Sequence, residues 1–284
     1  MCRLFGLSAS PHRVHASFWL LDAPDSLVSQ SHRNPDGTGL GFFDANGGPV
    51  LDKEPLSAFE DPAFAREARH VSSTTFVSHI RYATTGEHTV VNTHPFSMEG
   101  RIFAHNGVVH GLDRLEAELG DELALVQGET DSERYFALIT REIRANGGDV
   151  GAGIAAAARW IARNLPVYSI NCVLTTEQEL WAFRYPETHR LFVLEREAGG
   201  PHGGRELHHV SRQLRVHSAH LADRPSVVVA SEPLDDHTGW RLLESGELVH
   251  AARDLTVTSS IEVDFPPEDL LELHHPTGGK DATR

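Results

Sequence analysis

The stretch Thr130-Asp131-Ser132-Glu133 matches the capping box S/T-x-x-E, which satisfies free backbone N–H groups at the start of a helix. Apolar residues recur behind it at helical spacing, and the same spacing returns over Gly151 to Asn164. The residues that carry the first pattern are Tyr135, Leu138, Ile139 and Ile143. The sequence therefore predicts two adjacent helices near the middle of the chain.

Strands are predicted on both sides of these helices, from short runs of apolar and β-branched residues between turn residues. Before the helices they are residues 1–10, 39–43, 50–52, 74–80 and 101–105, with shorter helices over 18–28, interrupted near Pro24, and over 61–70. After the helices they are residues 169–174, 180–184, 191–194, 227–231, 248–251 and 255–259. We expect a sharp turn at Asn106-Gly107, because both residues tolerate positive φ. Strands, then helices, then strands predict an α+β architecture in which segregated helices cover sheets.

Composition excludes several classes of protein. The 284 residues include 25 Lys and Arg against 40 Asp and Glu, a net charge of −15, and no basic run, so a nucleic-acid partner is not expected. The longest apolar run near the start, Phe18 to Leu21, is far shorter than a signal peptide or the ~20 residues of a membrane span. Two cysteines fit a reducing compartment. We therefore expect a cytoplasmic protein with no membrane partner, built as one domain over residues 2–262 with a flexible tail over 263–284.

The 19 histidines do not fall into the spacings of metal ligands. HExxH and CxxC are absent, and the adjacent pairs His208-His209 and His274-His275 diverge on a helix or strand. The phosphate-binding pattern GxxxxGK[ST] is also absent. The sequence predicts neither a metal site nor an organic cofactor.

Cys2 follows the initiator methionine, and removal of that methionine would leave a chain that begins with a thiol beside a free α-amine. The amine titrates near ~8, so a fraction of it is neutral at pH 7 and can take the thiol proton. One residue can thus supply both nucleophile and base. The alternative from the residue alone is a cysteine buried in a first strand. Cys172, within an apolar run, is expected to be a core residue.

Five separated motifs accompany this cysteine in order: Met-Cys-Arg-Leu-Phe-Gly at residues 1–6, His-Ile-Arg-Tyr-Ala-Thr-Thr-Gly at 79–86, Asn-Thr-His-Pro-Phe at 92–96, Ala-His-Asn-Gly at 104–107, and Thr-Asp-Ser-Glu at 130–133. Together they resemble the class II glutamine amidotransferases, whose glutaminase domains are N-terminal nucleophile hydrolases. The opening is similar to that of the stand-alone members, which include a hydrolase of ergothioneine biosynthesis. The segment Val228 to Pro233 matches more loosely.

The resemblance implies a chemical role for three residues. Cys2 would be the nucleophile that forms a γ-glutamyl thioester, and the Asn106 side-chain amide and the Gly107 N–H would form the oxyanion hole. A donor of that kind is worth ~2.7 to 4 kcal/mol in the transition state. From the residues alone, a plain turn is the favoured interpretation of Asn106-Gly107, and the turn and the oxyanion hole are compatible.

The resemblance also implies a site for the amino-acid end of glutamine. Arg81 would bind the α-carboxylate, with Thr84 and Thr85 as further hydroxyl donors, and Asp131 would pair with the α-ammonium. Asp131 also fits a role at the helix N-terminus, and His94 either lines the site or supports the structure. The loop Arg33 to Gly37 matches the family's glutamine-covering segment in part.

The fold implied is the four-layer αββα sandwich of N-terminal nucleophile hydrolases. The activity implied is hydrolysis of the side-chain amide of L-glutamine, with the ammonia passed to a separate synthetase subunit. Two alternatives stay open: a stand-alone hydrolase of a γ-glutamyl amide conjugate, and a non-catalytic binding module.

Overall fold

The computed structural model describes residues 2–32, 36–81, 87–198 and 223–272. The strands are β1 (Arg3–Ser8), β2 (Thr38–Phe43), β3 (Pro49–Glu54), β4 (Thr75–Ile80), β5 (Phe96–Met98), β6 (Arg101–Val109), β7 (Pro166–Thr175), β8 (Leu180–Arg184), β9 (Phe192–Arg196), β10 (Ser226–Ala230), β11 (Arg241–Leu242), β12 (Glu247–Ala251), β13 (Val257–Ile261) and β14 (Asp269–Leu270). The α-helices are α1 (Leu27–Ser31), α2 (Pro62–His70), α3 (Leu112–Leu119), α4 (Asp131–Ala145) and α5 (Val150–Asn164).

Two seven-stranded sheets contain these strands. The first has the order β11-β9-β10-β1-β4-β2-β3, and all its pairs are antiparallel. The second has the order β13-β12-β8-β7-β6-β5, also antiparallel, and β14 adds a parallel pair with β7. Strand β1 therefore lies at the centre of the first sheet, with partners on both sides.

Three separate apolar clusters show how the sheets and helices are layered. One cluster joins the outer face of the first sheet to the segments around α1 and α2. A second lies between the two sheets, and a third joins the outer face of the second sheet to α3, α4 and α5. Side chains alternate between clusters along a strand, as in β1, where Phe5 belongs to the outer cluster and Leu4 to the inner one. This is the four-layer αββα sandwich, and the prediction of fold is confirmed.

The two central helices form where the sequence predicts them. Most of their apolar residues are buried, and Tyr135 and Ile154 are fully buried. Thr130 caps α4, since its Oγ1 accepts a hydrogen bond from the N–H of Glu133 at 3.2 Å. The Glu133 carboxylate, however, accepts from the N–H groups of Gln127 and Gly128, so only half of the predicted capping box is present. Within the described ranges, no helix is long and apolar enough to cross a membrane.

The helix predicted over residues 18–28 is interrupted near Pro24, as the sequence indicates. Phe18–Asp22 forms a short π-helical turn, and α1 begins only at Leu27. Pro24 lies between them, and Ser26 starts α1 as its cap by accepting a hydrogen bond from the Ser29 N–H at 3.3 Å. A proline interrupts the helix, and the new cap after it starts a second one.

The part of the predicted tail that the structure describes, residues 263–272, lies against the domain. Phe265 packs under the guanidinium of Arg163, and its carbonyl accepts a 3.0 Å hydrogen bond from the Tyr185 hydroxyl. Further along, β14 pairs with the start of β7. Residues 273–284 are outside the described residues, so the flexible tail stays a prediction.

Candidate active site

Strand geometry brings Cys2 to the space between the two sheets. Cys2 comes directly before β1, and the even-numbered positions that follow it, Leu4 and Gly6, face the inner layer. A side chain two residues before Leu4 projects from the same face of the strand. Cys2 is accordingly half-buried at the inner edge of the central strand.

Asn106 and Gly107 do not form the predicted turn. They lie inside β6, which continues to Val109, with Asn106 opposite Asn171 and Gly107 opposite Ile170 on β7. The turn propensity of the dipeptide is overridden by pairing along nine residues of strand. The chain does not reverse here. The Asn106 side chain and the Gly107 backbone therefore lie in the middle of a strand.

The Asn106 carboxamide is adjacent to Cys2, the predicted nucleophile. Its Nδ2 donates to the carbonyl oxygen of Cys2 and to the Ser231 hydroxyl, both at 3.2 Å. Ser231 follows β10 and also accepts from the Leu4 N–H at 3.0 Å. This hydroxyl therefore connects strands of both sheets beside Cys2. The loose match over Val228 to Pro233 was the only sequence signal for Ser231, and it assigned the residue no role.

Gly107 is required by close approach between strands. A Cβ at this position would lie 1.7 Å from the Ser169 carbonyl oxygen and 2.6 Å from His105 Nε2. Real Cβ atoms do not come this close to backbone oxygen. The absence of a side chain at Gly107 thus lets β6 lie close to β7 and leaves room for the ring of the neighbouring His105.

Arg81 follows β4 directly and is almost fully buried, with 4% of its surface exposed. Its backbone N–H donates to the Gly37 carbonyl at 2.8 Å, and its Nη1 to the Glu87 carbonyl at 3.2 Å. Burial lowers the pKa of Arg81, and the nearby groups of Cys2, Asp36 and Asp131 act in the opposite direction. The guanidinium is therefore a buried cation among groups that carry or can carry negative charge.

Asp131 is the first residue of α4, and the structure supports a role at the helix start. Its Oδ1 accepts from the Ser132 N–H at 2.9 Å, and its Oδ2 accepts from the Val109 N–H at 2.8 Å. The bond from Val109 connects the start of α4 to the end of β6. The same carboxylate borders the cavity that Arg81 lines.

Three buried histidines pack around these groups. The rings of His79 and His94 lie 4.2 Å apart, and none of their nitrogens has a hydrogen-bond partner among the described residues. His105 contacts the Ser132 hydroxyl at 2.9 Å and the Ser169 carbonyl at 3.1 Å. Burial lowers the pKa of His79 to about 3 and that of His94 well below its ordinary value. These rings are neutral at pH 7, so they add no positive charge near Arg81.

Among the residues that the structure describes, two cavities meet at Cys2. The first, here called the Arg81 cavity, has a volume of about 30 Å³. It is lined by Cys2, His79, Arg81, Asn92, His94, His105, Gly107, Thr130, Asp131 and Ser132. The second, here called the Arg190 cavity, has a volume of about 290 Å³ and is lined by Cys2, Arg3, Asn106, Thr188, His189, Arg190, Ser231 and Glu232. A larger cavity of about 940 Å³ lies apart from Cys2, between α5 and β12–β13.

The structure thus brings together most residues that the sequence singled out. Cys2, Arg81, His94, Gly107 and Asp131 line one cavity, and Asn106 lines the adjoining one. Thr84 and Thr85 lie outside the described residues, as do residues 33–35 of the loop Arg33 to Gly37. Of that loop, Asp36 and Gly37 are described, and both bond to the backbone of Arg81.

Cys172 is a core residue, as predicted. It is fully buried, and burial raises the pKa of its thiol to about 12. The hydroxyl of Tyr135 lies 3.8 Å from its sulfur. In the part of the chain that the structure describes, no group of three or more His, Cys, Asp or Glu side chains is arranged to hold a metal ion.

Comparison with known proteins gives the fold and site a family. The model of the class II glutamine amidotransferases matches residues 1–269. A relative from Escherichia coli K12, named "Putative glutamine amidotransferase YafJ", is 29% identical over 262 residues, which are 87% of this chain and 96% of the relative.

Two solved structures share the fold at low sequence identity. A glutamine aminotransferase class-II domain protein from Silicibacter pomeroyi has a TM-score of 0.59 at 21% identity and covers 92% of this chain and 99% of its own. The glutamine phosphoribosylpyrophosphate amidotransferase of B. subtilis has a TM-score of 0.64 at 20% identity and covers 93% of this chain and 50% of its own. The four layers are those of the N-terminal nucleophile hydrolases. Within that class, the chain belongs to the class II glutamine amidotransferases.

Proposed function

We propose that this protein hydrolyses the side-chain amide of L-glutamine through a thioester on Cys2. The observation that carries the proposal is that Cys2, Arg81 and Asp131 line one cavity while the Asn106 carboxamide lies beside Cys2. The site would therefore contain a nucleophile and a donor for the oxyanion. It would also contain a cation and an anion that can pair with the two charged groups of an amino acid.

The Arg81 cavity supplies the groups that an α-amino acid needs. The Arg81 guanidinium would donate to the α-carboxylate through two parallel hydrogen bonds. The Asp131 carboxylate would accept from the α-ammonium, and the hydroxyls of Thr84 and Thr85 would be further donors. His94, neutral and apolar on its faces, would pack against the substrate.

The chemistry would proceed in two steps. The Cys2 thiol, which loses its proton to the α-amine freed by removal of Met1, attacks the γ-carbonyl carbon. The Asn106 amide and the Gly107 N–H stabilise the resulting oxyanion. The carbon–nitrogen bond breaks, and ammonia leaves with the proton from the amine. Water then attacks the thioester, which releases glutamate and restores the thiol.

The released ammonia would pass to a separate synthetase partner. The Arg190 cavity favours the second candidate, a hydrolase of γ-glutamyl amide conjugates, because it provides about 290 Å³ of room at Cys2. Either activity uses the same nucleophile.

The test is turnover of L-glutamine by the purified chain, measured as glutamate and ammonia formed. Cys2→Ala should abolish turnover with an unchanged circular dichroism spectrum, whereas Cys172→Ala, as the matched control, should retain it. The intact mass of active protein should be one methionine residue below the encoded mass. Active protein that fully retains Met1 would rule out an α-amine base.

A further inference from the structure

The Arg190 cavity adjoins Cys2 but is not lined by the groups proposed to bind the amino-acid end of glutamine. Of these two cavities, Arg81 and Asp131 border the Arg81 cavity and not the Arg190 cavity, whereas Cys2 borders both. In an amide held with its γ-carbonyl carbon at Cys2, the γ-glutamyl half and the departing nitrogen extend in opposite directions from that carbon. A γ-glutamyl group in the Arg81 cavity therefore directs the departing nitrogen to the Arg190 cavity.

This cavity is much larger than ammonia needs. Its volume is about 290 Å³, whereas a molecule the size of water requires about 10 to 15 Å³. The room suits a nitrogen that carries a substituent of several heavy atoms, such as an amino acid.

Buried groups hold the cavity wall over residues 187–190 in place. Arg184, only 7% exposed, donates from Nε to the His189 carbonyl at 2.8 Å and from Nη2 to the Glu187 carbonyl at 3.0 Å. The Asn171 carboxamide donates to the carbonyls of His189 and Arg190 at 3.3 and 3.4 Å. Hydrogen bonds from the buried Arg184 guanidinium and the buried Asn171 carboxamide fix this backbone. The Cα atoms of the residues that line the cavity are therefore held in defined positions.

The charged groups of the cavity leave a positive excess. Arg3 and Glu232 form an ion pair at 3.0 Å. Arg190 is exposed, and within the described ranges its guanidinium makes no hydrogen bond or ion pair. Burial lowers the pKa of His189 to about 4, so this ring is neutral at pH 7. In a chain of net charge −15, a cation without a partner beside the nucleophile favours an anionic ligand.

We propose that the Arg190 cavity binds a leaving amine that carries a carboxylate, with Arg190 as the residue that recognises that carboxylate. The inference rests on the proposed function, and it extends the substrates to γ-glutamyl amino acids and short γ-glutamyl peptides. The step is balanced as for glutamine: the Cys2 sulfur–carbon bond forms, the carbon–nitrogen bond breaks, and the amine takes the proton that the thiol gave up. Water then releases glutamate.

The test compares amides that differ only in the carboxylate. γ-Glutamylglycine is matched with γ-glutamylethylamide, and γ-glutamyl-β-alanine with γ-glutamylpropylamide, with L-glutamine as reference. For at least one pair, we expect kcat/KM of the wild-type protein to be about tenfold or more higher for the carboxylate, the usual effect of a charge-assisted hydrogen bond. Arg190→Gln should bring that ratio close to one and leave L-glutamine turnover unchanged. Arg190→Glu should reverse the preference.

The matched control is Arg253→Gln, which removes an exposed arginine from the connection between β12 and β13. It should keep the wild-type ratio. If the wild-type protein turns over L-glutamine but prefers neither carboxylate amide, the inference is wrong and the proposed function stands. If Arg190→Gln keeps the wild-type ratio of kcat/KM between the carboxylate amide and its neutral match, Arg190 does not bind the carboxylate. No turnover of any of the five compounds overturns the proposed function and the inference together.

Discussion

Asn106 is held by its two hydrogen bonds with its amide beside Cys2, so its removal should affect the transition state more than substrate binding. For Asn106→Ala we expect kcat for L-glutamine to fall about 10²- to 10³-fold with little change in KM. Steady-state kinetics measures both. Asn46→Ala, at an exposed turn, should behave as wild type. A raised KM with unchanged kcat would place Asn106 in ground-state binding instead.

Replacing Arg81 should weaken the binding of L-glutamine more than it slows the chemical step. In Arg81→Lys the ammonium keeps the charge but cannot donate two parallel hydrogen bonds to a carboxylate. We expect KM for L-glutamine to rise about tenfold or more, with a smaller change in kcat. Arg101→Lys, which changes an arginine paired with Glu99 at the far end of β6, serves as the control. Equal KM values for Arg81→Lys and wild type would exclude Arg81 from the site.

Candidate site residues were predictable from the sequence where they belong to short local motifs. Cys2, Arg81 and Asp131 stand out in short stretches, and the structure places them around one cavity. Ser231 was not predictable as a partner of Asn106, because its contact spans 125 positions and depends on how the two sheets face each other. Arg190 lies in no motif, and only the folded wall brings it near Cys2.

At the level of elements, the contact between β6 and β7 gives a direct test of Gly107. Gly107→Ala would place a Cβ 1.7 Å from the Ser169 carbonyl oxygen, so the two strands would have to separate. We expect the free energy of unfolding to fall by about 1 to 3 kcal/mol, together with a loss of activity. Urea unfolding measures the first and glutamine turnover the second.

The control for this variant is Gly151→Ala, near the start of α5. A Cβ there would meet atoms no closer than 3.5 Å, and alanine favours helix over glycine by up to about 1 kcal/mol. Stability should stay equal or rise. If Gly107→Ala were as stable as this control, the strands would be able to accommodate the methyl group without moving.

Elements were predictable where a local signal starts them. Thr130 and its apolar repeat give α4, but α3 was missed because its cap is Gly111, with φ of 75° and no capping side chain. Asn106-Gly107 was assigned to a turn because its dipeptide propensity is local, whereas its pairing with β7 is not. Long-range pairing overrides a weak local preference.

At the scale of the whole molecule, the buried histidines make stability depend on pH. His79, with a pKa lowered from 6.5 to about 3, stays neutral in the folded state while the unfolded chain takes up a proton below pH 6.5. The unfolded state therefore binds more protons in this window, and stability is present above pH 6.5 and falls as pH falls. From pH 7 to pH 5, His79 alone should account for about 2 kcal/mol of this loss.

Urea unfolding at both pH values tests this contribution. In His79→Gln the decrease between pH 7 and pH 5 should be smaller by that amount, whereas His70→Gln, at an exposed position, should show the wild-type decrease. An identical pH dependence in His79→Gln and wild type would mean that the buried ring is protonated as readily as in the unfolded chain.

The α+β class was predictable from the order of elements, but the layer order was not derivable from periodicity. Alternation along β1 shows that Phe5 and Leu4 face opposite ways, yet it does not say that one face meets helices and the other a second sheet. That assignment requires knowing that Val173 on β7, more than 150 residues further along the chain, packs against the inner face of β1 at Gly6. The resemblance to a known family supplied it.

Strand β1 has neighbours on both sides, six register pairs with β4 and four with β10. Amide protons in such a strand exchange with solvent mainly through global unfolding, since no fraying edge is available to them. Cys2 is the residue immediately before this strand, so the proposed nucleophile is attached to a segment that should unfold only when the whole sheet unfolds. In rising denaturant, catalytic activity should therefore disappear together with the cooperative unfolding of the sheets, and no partly unfolded form should lose the nucleophile's position first.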